Sequence, residues 1–219
     1  MDKQKTSIIG IDLGQTADYT AITVIEKHQQ ETDGKHINLY DVRYLERVPL
    51  NTSYPSIIDK VKRIYNSLCK DTDKKPILVL DVTGVGRAVF DSFVQEKLNP
   101  VGISIHGGNT VTKDGNIYNV PKRDLAGVLQ VLYQSARIKV SSKLRDAQTL
   151  NNELLNFKIK INIGTGHDSY EAWRESIHDD LVLSVACAAW YGEKAVGNSE
   201  RYMRFVVGGS RHGFKRCGW

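Results

Sequence analysis

The feature that most constrains this chain is where its aspartates stand. Asp12 closes the apolar run SIIGID, Asp81 closes PILVLD, and Asp179 and Asp180 open DDLVLSVACAAW. The first two runs are short, β-branched and continuously apolar, which is the pattern of strands buried on both faces. The third is longer and alanine-rich and reads as a buried helix. A carboxylate in such surroundings is costly unless it is paired, hydrogen-bonded or bound to a cation. One such residue is explained by a helix cap or a strand-end turn. Acids in three segments, each where an apolar element meets the same kind of edge, point instead to carboxylates gathered at one rim of a sheet to hold a divalent metal.

The remaining pattern supplies the scaffold. Residues 6–13, 19–26 and 36–48 predict three sequential strands, the last two joined as a hairpin through QQETDG. Apolar residues at helical spacing from Ile57 to Leu68, with Ser53 as cap ahead of Pro55, predict a helix over 54–70. Strands follow at 77–81 and 101–106, with a TGVGR turn and a helix over 88–98 between them. GGNTVTKDGNIYN (107–119) predicts a polar loop of the length usually reserved for function. Pro121 is expected to open a helix with Leu125, Val128, Leu129 and Leu132 inward. RIKV (137–140) predicts a strand, and Leu144, Ala147, Leu150, Leu154 and Phe157 form one stripe of a helix over 143–157. KIKINI (158–163) reads as a strand with a basic alternate face, residues 164–176 as a second loop, and 179–194 as the closing helix. No repeat or composition break divides the chain, so one domain is expected over 1–195, followed by a basic, glycine-containing tail over 196–219.

Composition excludes several classes. Hydrophobic residues make up 41% and charged residues 25%, ordinary for a globular protein. Cys69, Cys187 and Cys217 are scattered and odd in number, with neither disulfide nor zinc spacing, which fits a reducing cytosol. No segment has the character of a signal peptide or a membrane span. The net charge of +5 tolerates a polyanionic partner without requiring one.

Three leading strands, a helix, a strand, then further helices, with acids on strand one, strand four and the last helix, is the order of a ribonuclease-H-like α/β fold. In it a mixed sheet of three antiparallel strands and then parallel strands is flanked by helices, and strands one and four lie side by side. Two hard cations on shared carboxylates, about 3.5–4 Å apart, activate a water and stabilise the leaving oxygen of a phosphodiester.

GIDLGQTADYTAI, LVLDVTGVGRAVFDSF, PKRDLAGVLQVLYQSARIKV and EAWRESIHDDLVLSVACAAW together resemble the nuclease domain of the tailed-bacteriophage terminase large subunit, over about residues 6–192. The HDDLV run before an alanine-rich helix is the most specific piece. The resemblance implies metal-dependent endonucleolytic cutting of double-stranded DNA during genome packaging, with two Mg²⁺ or Mn²⁺ ions. By position it implies Asp12, Asp81 and Asp179 as metal ligands, Asp180 as a fourth, and His178 as a proton-handling or supporting group. It implies a bacterial host cytoplasm, a phage or prophage gene, and an ATPase motor, portal and small terminase subunit as partners. No GxxxxGK[ST] phosphate loop occurs in the sequence, so a motor is expected to be separate or to have been excised.

Other residues carry weaker signals. Lys122 and Arg123 open a helix after strand five and are candidates to grip phosphates, as is Arg87. Gly84 and Gly86 suggest a close backbone approach beside Asp81. Asp18 reads as a turn residue and Trp173 as a loop anchor, while His106 and His167 flank glycine-containing loops. Competing readings are an actin-like or sugar-kinase-type nucleotide-binding domain, suggested by GIDLGQTADYTAI and DVTGVG; a Holliday-junction-resolvase-like nuclease; and an inactive DNA-binding module.

Overall fold

The computed structural model describes residues 5–14, 18–32, 34–71, 74–84, 86–160 and 178–195. Trp173, His167, Cys217, the 164–176 loop and the 196–219 tail lie outside them. Three strands open the chain: β1 (Thr6–Asp12), β2 (Thr20–Thr32) and β3 (Lys35–Val48). Then come α1 (Tyr54–Asp71), β4 (Ile77–Asp81), α2 (Gly86–Gln95), β5 (Val101–His106), β6 (Thr112–Asp114) and β7 (Ile117–Pro121). The last described elements are α3 (Lys122–Gln134), β8 (Ile138–Val140), α4 (Ala147–Lys160) and α5 (Asp180–Ala195).

The eight strands form one sheet in the order β6-β7-β5-β4-β1-β2-β3-β8. β1, β2 and β3 pair antiparallel, whereas β1–β4, β4–β5, β5–β7 and β3–β8 pair parallel. This is the mixed ribonuclease-H-like sheet that the element order predicts. Alternation along β1 divides the core. Ile9 and Ile11 face α1 and α2 with Ile22, Leu80, Ile57 and Phe93. Ile8 shares the opposite core with Val79, Leu125, Leu150 and the apolar residues of α5. Ser53 caps α1 as expected, its Oγ accepting the Ser56 N–H at 3.4 Å. No described helix is long and apolar enough to cross a membrane.

Three local expectations need correction. The 107–119 segment is not only loop: Thr112–Asp114 and Ile117–Pro121 form a hairpin, β7 pairing with β5. Its two-residue turn, Gly115-Asn116, places Gly115 at φ +55°, so the Gly-Asn pair was the hairpin signal. Pro121 ends β7 with φ −59° and ψ 134°, because the fixed φ of proline suits an extended residue as well as a first helical turn. KIKINI is not a strand at its start: α4 runs through Lys160, because Phe157 extends the Leu150–Leu154 stripe. Ile161–Ile163 lie outside the described residues.

What positions the centre is the depth at which α5 lies on the sheet. From Asp180 to Trp190 every residue of α5 is buried. A Cβ on Gly10 would stand 2.1 Å from the Ser184 carbonyl oxygen and 2.9 Å from Ala188 Cβ. A Cβ on Gly192 would stand 2.8 Å from the Tyr40 ring. Ser184, Ala188 and Gly192, one helical turn apart, thus form a shallow stripe that lets the helix backbone rest on β1 and β3. Thr23 Oγ1 and Ser184 Oγ are 2.8 Å apart across the interface.

Polar groups pin the far end of α5. Buried Lys27 donates from Nζ to the Gly192 carbonyl, where the helix dipole favours a cation. Burial pulls Lys27 down to about 8. The Tyr40 hydroxyl donates to Glu193 Oε1 at 2.7 Å, and the Arg137 guanidinium donates to the same carboxylate. Gly10→Ala is therefore expected to destabilise the fold by about 1–3 kcal/mol, the usual cost of overpacking. The Ser184 backbone cannot swing away as a side-chain tip would. Urea unfolding would measure the change, and an unchanged midpoint would refute the close approach.

Candidate metal centre

Asp12 and Asp81 are the last residues of β1 and β4 and are direct partners in the parallel register, so their backbones lie about one strand spacing apart, ~4.8 Å. Both lie two residues beyond positions that face α5, Gly10 and Val79, and so point to the same side. On α5, Asp180 precedes Ser184 by four residues, ~6 Å of helix rise. On β1, Asp12 follows Gly10 by two residues, ~6.6 Å of strand. Because Ser184 rests on Gly10, these nearly equal lengths bring the start of α5 level with the end of β1. The local structure that makes β1 a strand and α5 a buried helix therefore also assembles the acids.

Electrostatics records the convergence. Burial raises the Asp12 carboxyl well above its usual range, and repulsion from Asp81, Asp180, Asp179 and Glu153 raises it further. Asp81 is also raised, chiefly by burial, while hydrogen bonds from Thr83 and the charge of Lys122 oppose the shift. The Thr83 backbone N–H donates to Asp81 Oδ1 at 2.8 Å and the Thr83 hydroxyl donates to the same oxygen. Thr83 Oγ1 in turn accepts the Ile105 N–H at 2.8 Å, so β5 fixes how Asp81 is turned. Asp180 is pushed up to about 6 by burial against the opposing charges of Arg47 and His178. Its Oδ2 is buried and accepts no hydrogen bond among the described residues. Carboxylates only, crowded together and costly to ionise, are the donor set that suits a hard divalent cation.

Of the candidates named from the sequence, Asp12, Asp81, Asp179 and Asp180 fall within one another's field. His178 stands at the rim, half exposed, 3.8 Å from Asp180 Oδ2 and edge-on to Tyr19 at 5.2 Å. Lys122 reaches inward, its Nζ buried, 5.9 Å from the Phe157 ring centroid and acting on Asp81. Arg123 lies on the exposed side of the same helix start, donating to the Asn109 carbonyl at 2.8 Å. Arg87 is the second residue of α2. His106 Nδ1 accepts the Gly108 N–H and turns the loop after β5. Asp18 lines a shallow cavity of about 240 Å³ with Gly14, Thr20 and Tyr54, and its charge acts on Asp180.

Two contributors escaped the sequence reading. Glu153 of α4 is buried at 4% exposure, is raised to about 7 by that burial, and accepts the Val182 N–H at 3.0 Å. Leu150, Glu153, Leu154 and Phe157 stand at i, i+3, i+4 and i+7, so an acid on the apolar stripe was a signal available in the sequence. Arg47, near the end of β3, bonds Glu153 and lies 3.4 Å from Asp180 Oδ2. A separate group, Glu26, His28 and Asp41, brings three donor atoms within 4.8 Å of one another, but Lys5 and Arg43 already neutralise its carboxylates. Among the described residues, no three donor atoms of the main aspartate cluster come that close together.

No family model matches the chain, and no curated protein matches it in sequence. Solved structures do match in fold. The human cytomegalovirus terminase nuclease domain, soaked with Mn and bound to an inhibitor, superposes with a TM-score of 0.51 at 15% identity, covering 86% of this chain and 84% of that one. A second structure of the domain gives a TM-score of 0.48 at 15% identity, covering 89% and 86%. The fold is thus of the ribonuclease-H-like, terminase-nuclease type.

Crowding of the acids has a measurable sign. A carboxyl held above its ordinary value is penalised when ionised, so the penalty is present at high pH and relieved as pH falls through the folded value. With Glu153 near 7 and Asp180 near 6, stability in EDTA should rise as pH is lowered from about 8 towards 5. Asp12→Asn should raise the melting temperature in EDTA at pH 8 by several degrees, about 2–4 °C per kcal/mol removed, with a smaller gain at pH 5. Calorimetry showing a lower melting temperature at pH 8 would contradict the assignment.

Proposed function

We propose that this chain is a metal-dependent endonuclease that hydrolyses phosphodiester bonds of double-stranded DNA, the nuclease part of a terminase large subunit of the tailed-phage kind. The observation that carries this reading is the pairing of Asp12 with Asp81 beneath the start of α5, within a fold of the terminase-nuclease type. Asp12, Asp81 and Asp179 would hold Mg²⁺ or Mn²⁺, with Asp180 as the fourth carboxylate. Two such ions supply an activated water and stabilisation of the leaving oxygen.

The chain's own groups orient and balance the centre. Thr83 fixes Asp81, and Glu153 anchors the first turn of α5 through Val182. Lys122 offsets charge at Asp81. His178, at the exposed rim, is placed to exchange a proton with solvent. Arg123 and Arg87 are the proposed phosphate contacts, whereas Lys122, a candidate for that role from the sequence, has its Nζ buried and acts on Asp81 instead. The sequence carries no base-reading motif such as a zinc finger, which supports weak sequence selectivity. In this reading the protein works in a bacterial host cytoplasm from a phage or prophage gene, beside an ATPase motor, a portal and a small terminase subunit.

Incubation with Mn²⁺ or Mg²⁺ should nick and then linearise plasmid DNA, and EDTA should stop it. Asp12→Asn, Asp81→Asn and Asp179→Asn should each lower the rate at least a hundredfold with the fold retained. Asp180→Asn should do less, since Asp180 already has the Arg47 guanidinium 3.4 Å from its Oδ2. Inactivity across metals and pH would sink the nuclease reading, and strong preference for four-way junctions would favour a resolvase.

Duplex binding should fall steeply with salt, because each neutralised phosphate releases counterions. Arg123→Ala together with Arg87→Ala should weaken binding alike on all sequences and reduce the salt slope by about two. An unchanged slope in filter-binding or anisotropy titrations would place the DNA elsewhere.

A further inference from the structure

Arg47 has no part in the reading above, yet it is the most heavily engaged side chain near the centre. Its Nη2 bonds Glu153 Oε1 and lies 3.4 Å from Asp180 Oδ2. Its guanidinium carbon sits 4.7 Å from the Tyr19 ring centroid, and its backbone N–H donates to Asp146 Oδ2 at 2.9 Å. The other oxygen of Glu153 accepts the Val182 N–H at 3.0 Å. Glu153 therefore has one oxygen committed to the backbone of α5 and the other to Arg47, and Asp180 has a resident cation at its side. Asp12, by contrast, feels Asp81, Asp180, Asp179 and Glu153, all of them carboxylates. Lys122 acts on Asp81 from the other side, so the two ends of the cluster differ in that Arg47 stands beside Asp180 while already bonded to Glu153.

We infer that Arg47 is a positioning residue that divides the cluster: by holding Asp180 to Glu153 it leaves Asp12, Asp81 and Asp179 to take a first divalent ion and makes a second ion, at the Asp180 end, bind more weakly. This rests on the reading that the aspartates bind metal. Arginine suits the task because one guanidinium nitrogen, Nη2, faces both carboxylates while the guanidinium lies against an aromatic ring. It also stays protonated in proteins, so a second cation must displace it rather than wait for it to lose its charge.

Titration of the EDTA-stripped, dialysed full chain with Mn²⁺, followed by calorimetry and by electron paramagnetic resonance of free Mn²⁺, tests this without turnover. The wild type should bind one ion tightly and a second at least tenfold more weakly. Arg47→Met, which keeps the apolar stem under Tyr19, should tighten the second ion at least tenfold and change the first less than threefold. Arg47→Lys, which keeps the charge without the fork, should tighten the second ion by about threefold and serves if the Met variant fails to fold. Two equally tight ions in the wild type, or a second site indifferent to either substitution, would overturn the inference. So would both sites tightening equally, which is the mark of general charge removal. Asp12→Asn should abolish the first site. If it leaves Mn²⁺ binding unchanged, or if no Mn²⁺ binds at all, the nuclease reading falls as well. A normal first site with an Arg47-insensitive second overturns only the division of the cluster.

Discussion

The close packing of α5 on β1 is the contact on which the rest depends. A helix usually stands about 10 Å from a sheet because side chains intervene. Here Gly10 removes the intervening side chain, and Ser184 and Ala188 present little in return. The gain is dispersion contact along a helix buried from Asp180 to Trp190. The consequence is geometric: Asp180 at the helix start, Asp179 just ahead of it and two aspartates on strands share one rim without any long side chain reaching across. Aspartate, with a single methylene, suffices because the backbones are already close.

Packing alone would let such a smooth helix slide. Polar anchors at its two ends oppose this. At the C-terminal end Lys27, Tyr40 and Arg137 engage Gly192 and Glu193. At the N-terminal end Glu153 takes the Val182 N–H. Such buried groups are expensive to leave unpaired, so a helix shifted by one residue would lose bonds at both ends together. Their contribution is a unique register more than raw stability, and register is what a cluster of carboxylates requires.

Much of this was legible in the sequence. The strands carrying Asp12 and Asp81 were continuous apolar runs, and the α5 helix announced its burial by composition. Their adjacency followed from element order. What was not legible was whatever depended on partners far along the chain. Glu153 looked like one more acid on a helix until its place on the apolar stripe was weighed. Arg47 sat near the end of a predicted strand, and nothing local marks it as facing inward. The β6–β7 hairpin was lost in a polar loop because its strands are only three and five residues long, although its Gly-Asn turn pair was in plain view.

The pairing of β2 with β3 slips between Val24 and Ile25, so that Val24 stands opposite Tyr44 and Ile25 opposite Val42. Arg43 is thereby left over, an extra residue in β3 with no opposite number. On the Ala21 side of the slip, Leu45 and Arg47 face α5, and on the other side Val42 and Tyr40 do. Alternation alone forbids this, since 45 and 42 differ by an odd number. One surplus residue lets a single strand touch both ends of the same helix. The length of β3 is therefore set by parity: losing Arg43 alone would leave Tyr44 and Val42 adjacent, opposite Val24 and Ile25, and keep Tyr40 and Arg47 on one face without the surplus residue, whereas losing two residues between Val42 and Leu45 would turn either Tyr40 or Arg47 to the opposite face. Near Arg43 this hairpin should therefore tolerate the loss of one residue but not of two, and changes of length freely only towards its exposed tip.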